Sequence, residues 1–122
     1  MSITLVEAES CIEGNGFTRV SATKKVIGFK SKLTGGTLYL RTDQGFPDHA
    51  DVAVDPNLDV TTLIAINGVE LNARNPLRHS SNLKEFPTRI NGGKTPIHYG
   101  RALQVFFGHA LVAMCQVHRT LK

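Results

Sequence analysis

The stretch KVIGFKSKLTGGTLYLR, residues 25–41, decides the fold class. Two runs rich in β-branched, aromatic and aliphatic residues, Lys25 to Lys30 and Thr37 to Arg41, flank Leu33-Thr34-Gly35-Gly36. Glycine reaches the left-handed backbone that a tight reversal needs, so the pattern predicts an antiparallel hairpin. In the second run Leu38 and Leu40 share one face while Thr37, Tyr39 and Arg41 share the other, as in a strand with one wetter side.

Working outward, Ile3 to Ala8 and Phe17 to Ser21 read as two further strands, with Glu13-Gly14-Asn15-Gly16 as the turn between them. On the other side, Asp51 to Asp55 alternates Val52 and Val54 with aspartates and stops at Pro56. Thr61 to Ile66, nearly all apolar and β-branched, suits a central strand, and Asn67-Gly68 turns the chain. From Ala73 to Gly100, Pro76, Pro87, Pro96, Gly92, Gly93 and Gly100 interrupt every period. That predicts an ordered irregular loop, pinned to the body by Leu77, Leu83, Phe86, Ile90 and Ile97. Ala102 to Phe107 is expected to be a last strand. Gly108 to Leu121 is expected to be a helix with Leu111, Met114, Val117 and Leu121 on one stripe. The expectation is therefore an α+β fold: a mostly antiparallel β-sheet of five to seven strands, a C-terminal helix and a long basic loop. The length of 122 residues suits a single domain over 1–122.

With 41% hydrophobic and 20% charged residues the chain is neither disordered nor collagenous. No apolar run approaches the ~20 residues of a membrane-crossing helix, and no basic and apolar leader opens the chain. A soluble, cytoplasmic protein with no membrane partner is the expectation. Cys11 and Cys115 stand far apart with no C-x-x-C, which suggests reduced, buried thiols rather than a disulfide framework or a zinc site.

Fourteen Lys and Arg against ten Asp and Glu give a net charge of +4, distributed unevenly. Residues 1–61 hold six cations and eight anions, whereas residues 62–122 hold eight and two. The excess gathers at 74–101, where Arg74, Arg78, Lys84, Arg89, Lys94 and Arg101 face Glu85 alone. Guanidinium forks match phosphate oxygens in pairs and lysine adds a point charge. Two histidines, His79 and His98, and the aromatic Tyr99 complete the candidate ligand-binding set. Asn91-Gly92-Gly93-Lys94-Thr95 adds a turn whose backbone N–H groups suit an anion, without the spacing of a P-loop. The function these residues suggest is non-enzymatic binding of nucleic acid or a phosphorylated small molecule such as a nucleotide, with no cofactor.

Two other classes fit. A small nuclease or phosphodiesterase would use His79 and His98 as acid and base, because imidazole titrates near neutral pH. It would otherwise use the aspartates Asp43, Asp48, Asp51, Asp55 and Asp59, with Asp48, His49 and Asp51 holding a metal ion. No (D/E)-x-K follows Pro47-Asp48, however, and His109 and His118 stand nine apart, too far for a zinc pair on a helix. A protein-interaction module, such as an immunity or anti-defence protein with a protein partner, is the third reading.

Overall fold

Strands of the first half are short, apolar on alternate positions and joined by tight turns, so they pair with their sequence neighbours. The computed structural model of the chain describes residues 4–42, 49–72, 76–80, 82–90, 95–106 and 108–121. Strands β1 (Phe17–Ala22), β2 (Val26–Ser31), β3 (Thr37–Arg41) and β4 (Ala50–Val54) form an antiparallel meander. The turn between β2 and β3 closes with the Ser31 N–H donating to Gly36 O at 2.8 Å, and Gly35 takes the expected positive φ of 78°.

The long strand β8 (Ile97–Val105) lies beside β4, with Val54 opposite Arg101 and Ala53 opposite Ala102. Its other edge pairs end to end with β5 (Val69–Leu71) and β6 (Leu77–His79), while β7 (Thr88–Arg89) pairs with its first residues. Among the described residues all pairings are antiparallel and the sheet has eight strands, one more than the upper expectation. The stretch expected to be a loop therefore holds β6, β7 and the start of β8. Its prolines sit between these strands rather than within them, which is where proline is tolerated.

Two expected strands are helices. Residues 5–13 form α1 (Leu5–Glu13), because Thr4 caps it: the Thr4 side chain accepts the Glu7 N–H at 3.2 Å and its hydroxyl donates to the Glu7 carboxylate at 3.0 Å. Ala8 and Ile12, four apart, then face the core. Glu13 to Gly16 accordingly ends a helix rather than joining two strands. Thr61 begins the one-turn helix α2 (Thr61–Ile64), since Val60 and Leu63, three apart, are the buried residues and Asp59 accepts the Thr61 N–H at 3.0 Å. The C-terminal helix is present as α3 (Gly108–His118), with Leu111 and Met114 buried.

All three helices pack on one face of the sheet. Ile27, Phe29, Leu38, Leu40, Val52, Val54, Leu103 and Val105 meet Ala8, Ile12, Leu111, Met114 and Cys115 there. The opposite face carries a smaller cluster, in which Leu83 and Phe86 from the strap at 82–87 cover Val26, Tyr39 and Ala53. The Tyr39 and Phe86 rings meet edge to face at 5.0 Å, and Tyr39 Oη accepts the Glu85 N–H at 3.1 Å. Among the described residues no helix is long and apolar enough to cross a membrane.

Candidate anion-binding cleft

Beside the strap, the helix-free face of the sheet carries small residues. Ala53 and Ala102 lie opposite each other in register, and Tyr39 and Val26, both nearly buried, stand beside them. The result is a cleft of about 450 Å³ whose floor is Val26, Tyr39, Ala53 and Ala102. Its rim is Lys25, Arg41, Asp51, Asn72, Arg78, His79 and Ser80. Strand alternation puts Arg41 and Asp51 on this face, because each is two residues from a floor residue, Tyr39 and Ala53 respectively. Arg78 arrives from across β8: it is opposite Gly100, on the face where the Phe86 ring lies.

Among the described residues Lys25, Arg41 and Arg78 thus border the cleft with one carboxylate, Asp51. Arg41 Nη1 stands 3.8 Å from Asp51 Oδ2, and His49 Nε2 stands 3.3 Å from Asp51 Oδ1. Oδ1 is shielded from solvent, and the His49 ring can pair with it as a charge only when protonated. His49 is further held by the Gln104 side-chain amide at 3.4 Å and by the Phe106 ring at 5.6 Å.

Of the residues singled out in the basic segment, Arg78 reaches this cleft and His79 borders it. The His79 ring itself stacks on Tyr99 at 5.8 Å and accepts the Arg89 Nε–H at 2.9 Å. Arg89 also lies over the Tyr99 ring at 5.2 Å. Partial burial, then the Arg89 charge, hold the His79 pKa below the ordinary imidazole value. The register explains the grouping. His79 is opposite Tyr99 and Arg89 is opposite Ile97, so all three side chains take the face opposite to Arg78. His98, next along β8, turns to the strap, with Nδ1 2.7 Å from Phe86 O. His79 and His98 therefore project from opposite faces of the sheet. Arg101 donates from Nε to Pro56 O at 3.3 Å, and exposed Lys84 borders a separate pocket of about 150 Å³.

Arg74, Asp43, Asp48 and all of the Asn91 to Thr95 turn but Thr95, Lys94 included, lie outside the described residues. His49 and Asp51 do come together. Among the described residues no three His, Cys, Asp or Glu side chains gather as a metal site. Asp55 and Asp59 serve turns, accepting the Asn57 and Thr61 N–H groups. Cys11 and Cys115 are free thiols on the packed helices α1 and α3, and burial raises the pKa of both.

Lys25 and Arg41 are the cleft residues that charge counting missed, because they belong to the acidic half of the chain. Arg41 was already legible as a neighbour of Tyr39 on the wetter face. Lys25 needs the pairing of β2 with β3, in which Lys25 O accepts the Thr42 N–H at 2.8 Å. Comparison of the chain with protein-family models, with curated proteins and with solved structures finds no match.

Proposed function

We propose that this protein binds a phosphate-bearing partner, and that the cleft above the Ala53–Ala102 floor is where it does so. The observation that carries the reading is the meeting of Lys25 and Arg41 with Arg78, distant in sequence, around one concavity that holds one carboxylate among the described residues. Gathered like charges repel and work against the compact state, whereas an anion placed among them turns that repulsion into attraction. Arginine supplies paired donors matched to phosphate oxygens, and Asn72 and Ser80 add neutral ones.

Calorimetric titration at low salt with adenosine 5′-monophosphate and with a single-stranded oligothymidylate tests the reading. Wild type binds at least one of them, and Arg78→Ala with Arg41→Ala weakens that binding by tenfold or more while far-ultraviolet circular dichroism stays unchanged. A wild type that binds neither probe refutes it. The His49–Asp51 pair at the cleft edge favours one second reading, phosphodiester hydrolysis with that pair moving the proton. Turnover of bis(p-nitrophenyl) phosphate that His49→Ala abolishes is its signature.

A further inference from the structure

We infer that the partner is a single-stranded nucleic acid, which passes from the cleft around the free edge of β6 onto the group formed by His79, Tyr99 and Arg89 on the opposite face. The inference rests on the phosphate-binding reading above and names its partner. Among the described residues β6 pairs with β8 on one side and with no strand on the other. His79 lies on β6 and also borders the cleft, so the rim of the cleft is here the edge of the sheet. Beyond that edge, β8 leaves the helices behind. Leu103 and Val105 are fully buried, whereas Ile97, Tyr99 and Arg101, on the same face, are only half-buried.

The His79 and Tyr99 rings stack there within 20° of parallel, Arg89 lies over Tyr99, and Arg101 follows two residues along β8. Arg89 commits its Nε to His79 and Arg101 its Nε to Pro56 O. Among the described residues their Nη groups have no partner, and neither arginine pairs with a carboxylate. Because His79 Nε2 accepts from Arg89, the neutral ring carries its proton on Nδ1 and offers a further donor. Rings interleaved with cationic donors suit a single strand, since every base has a π-face and the phosphates supply acceptors. A free nucleotide gains little from so open a face, because small-ligand sites enclose most of their ligand. An acidic peptide would use the arginines and leave the rings idle, and a duplex holds its bases within its own stack.

Titration at low salt with adenosine 5′-monophosphate, a twelve-residue oligothymidylate, its duplex with oligoadenylate, and polyglutamate decides it. The single strand is expected to bind about tenfold tighter than the mononucleotide or more. Tyr99→Ala should weaken the strand by roughly fivefold or more, the alanine cost of one stacked base, while Tyr99→Phe keeps its affinity. Arg89→Ala should also weaken the strand, and it carries the test if Tyr99→Ala disturbs the fold, because Arg89 is exposed. Both alanine variants should bind the mononucleotide as wild type does. The chain has two tyrosines and no tryptophan, so Tyr39→Phe leaves Tyr99 as the emitter that the strand should quench. A strand that binds no tighter than the mononucleotide, that leaves this emission unchanged, or that is indifferent to Tyr99→Ala and Arg89→Ala overturns the inference and leaves the phosphate-binding reading standing. So does duplex or polyglutamate binding as tight as that of the strand. No binding by any nucleotide probe removes both.

Discussion

The two faces of the sheet are built on opposite principles. The helix-covered face is assembled from large aliphatic and aromatic side chains that α1 and α3 shield completely, and Phe29, Leu38, Leu40 and Leu103 there have no exposed surface. The other face carries alanine and glycine in its central strands, is only half covered by the strap, and admits charge at its rim. One face uses the pleat to exclude water, and the other uses it to make room. Stability should therefore reside mainly in the first and ligand recognition in the second. Truncation on the covered face tests this most severely. Phe29→Ala should lower unfolding free energy by about 3–5 kcal/mol, the range for removing a fully buried aromatic ring, with the loss read from urea midpoints.

The covered face also answers acid. His118 is 2% exposed, packs against the Phe17 ring at 5.4 Å, and burial pulls its pKa down from 6.5 to about 4, with Asp55 opposing part of the shift. The folded protein then binds fewer protons than the unfolded chain between these values, so stability falls as pH drops from about 6.5 towards 4. At ~1.4 kcal/mol per unit the loss approaches about 3 kcal/mol at the acid end. Urea unfolding at pH 7, 5.5 and 4.5 measures it. His118→Phe should flatten the dependence in that window, and an unchanged slope would mean that other groups set the acid response.

The seam between the two faces is next in size. A Cβ at Gly100 would stand 2.8 Å from two Phe86 ring carbons and 2.8 Å from Val54 O. Gly100→Ala must therefore lift the strap or displace β4, at a cost of about 1–3 kcal/mol for overpacking. Faster hydrogen exchange at the Glu85 amide, which donates to Tyr39, would locate the damage in the strap.

The two faces differ in how much of them the amino-acid order reveals. Period-two alternation in 37–41 and 51–55 places Leu38, Leu40, Val52 and Val54 on the covered face, and the helical stripe of Leu111 and Met114 shows what covers them. These are local patterns, and a window of a few residues contains them. α1 was misread because the β-branched start at Ile3 and Thr4 outweighed the Thr4-x-x-Glu7 cap. α2 was misread because the spacing of three from Val60 to Leu63 was hidden among other apolar residues. The cleft is harder still. The charge excess of 74–101 is plain from composition, but the face each cation takes depends on register: Arg78 opposite Gly100 turns one way and His79 opposite Tyr99 the other. Lys25 and Arg41 come from a hairpin some forty to fifty positions away. Such a site exists only once long-range pairing is fixed, and neither charge totals nor motif spacing contains that information.

The smallest effect separates the two faces most cleanly, because it compares two arginines eleven positions apart in the same basic segment. Arg89 donates to His79 at 2.9 Å and lies over Tyr99 at 5.2 Å, but it is exposed, and a cation over an aromatic ring at an exposed site is worth about 0.5–1 kcal/mol. Arg89→Ala should reduce stability by no more than that. It should also let the His79 pKa rise, since the guanidinium is one of the two causes that lower it. Proton chemical shifts of His79 followed through a pH titration report the change directly. Because Arg89 faces away from the cleft, the same variant should bind the phosphate probe adenosine 5′-monophosphate as wild type does, whereas Arg78→Ala should lose that binding. If Arg89→Ala weakens the binding as much as Arg78→Ala, the anion is not confined to the cleft face and the basic segment acts as one surface.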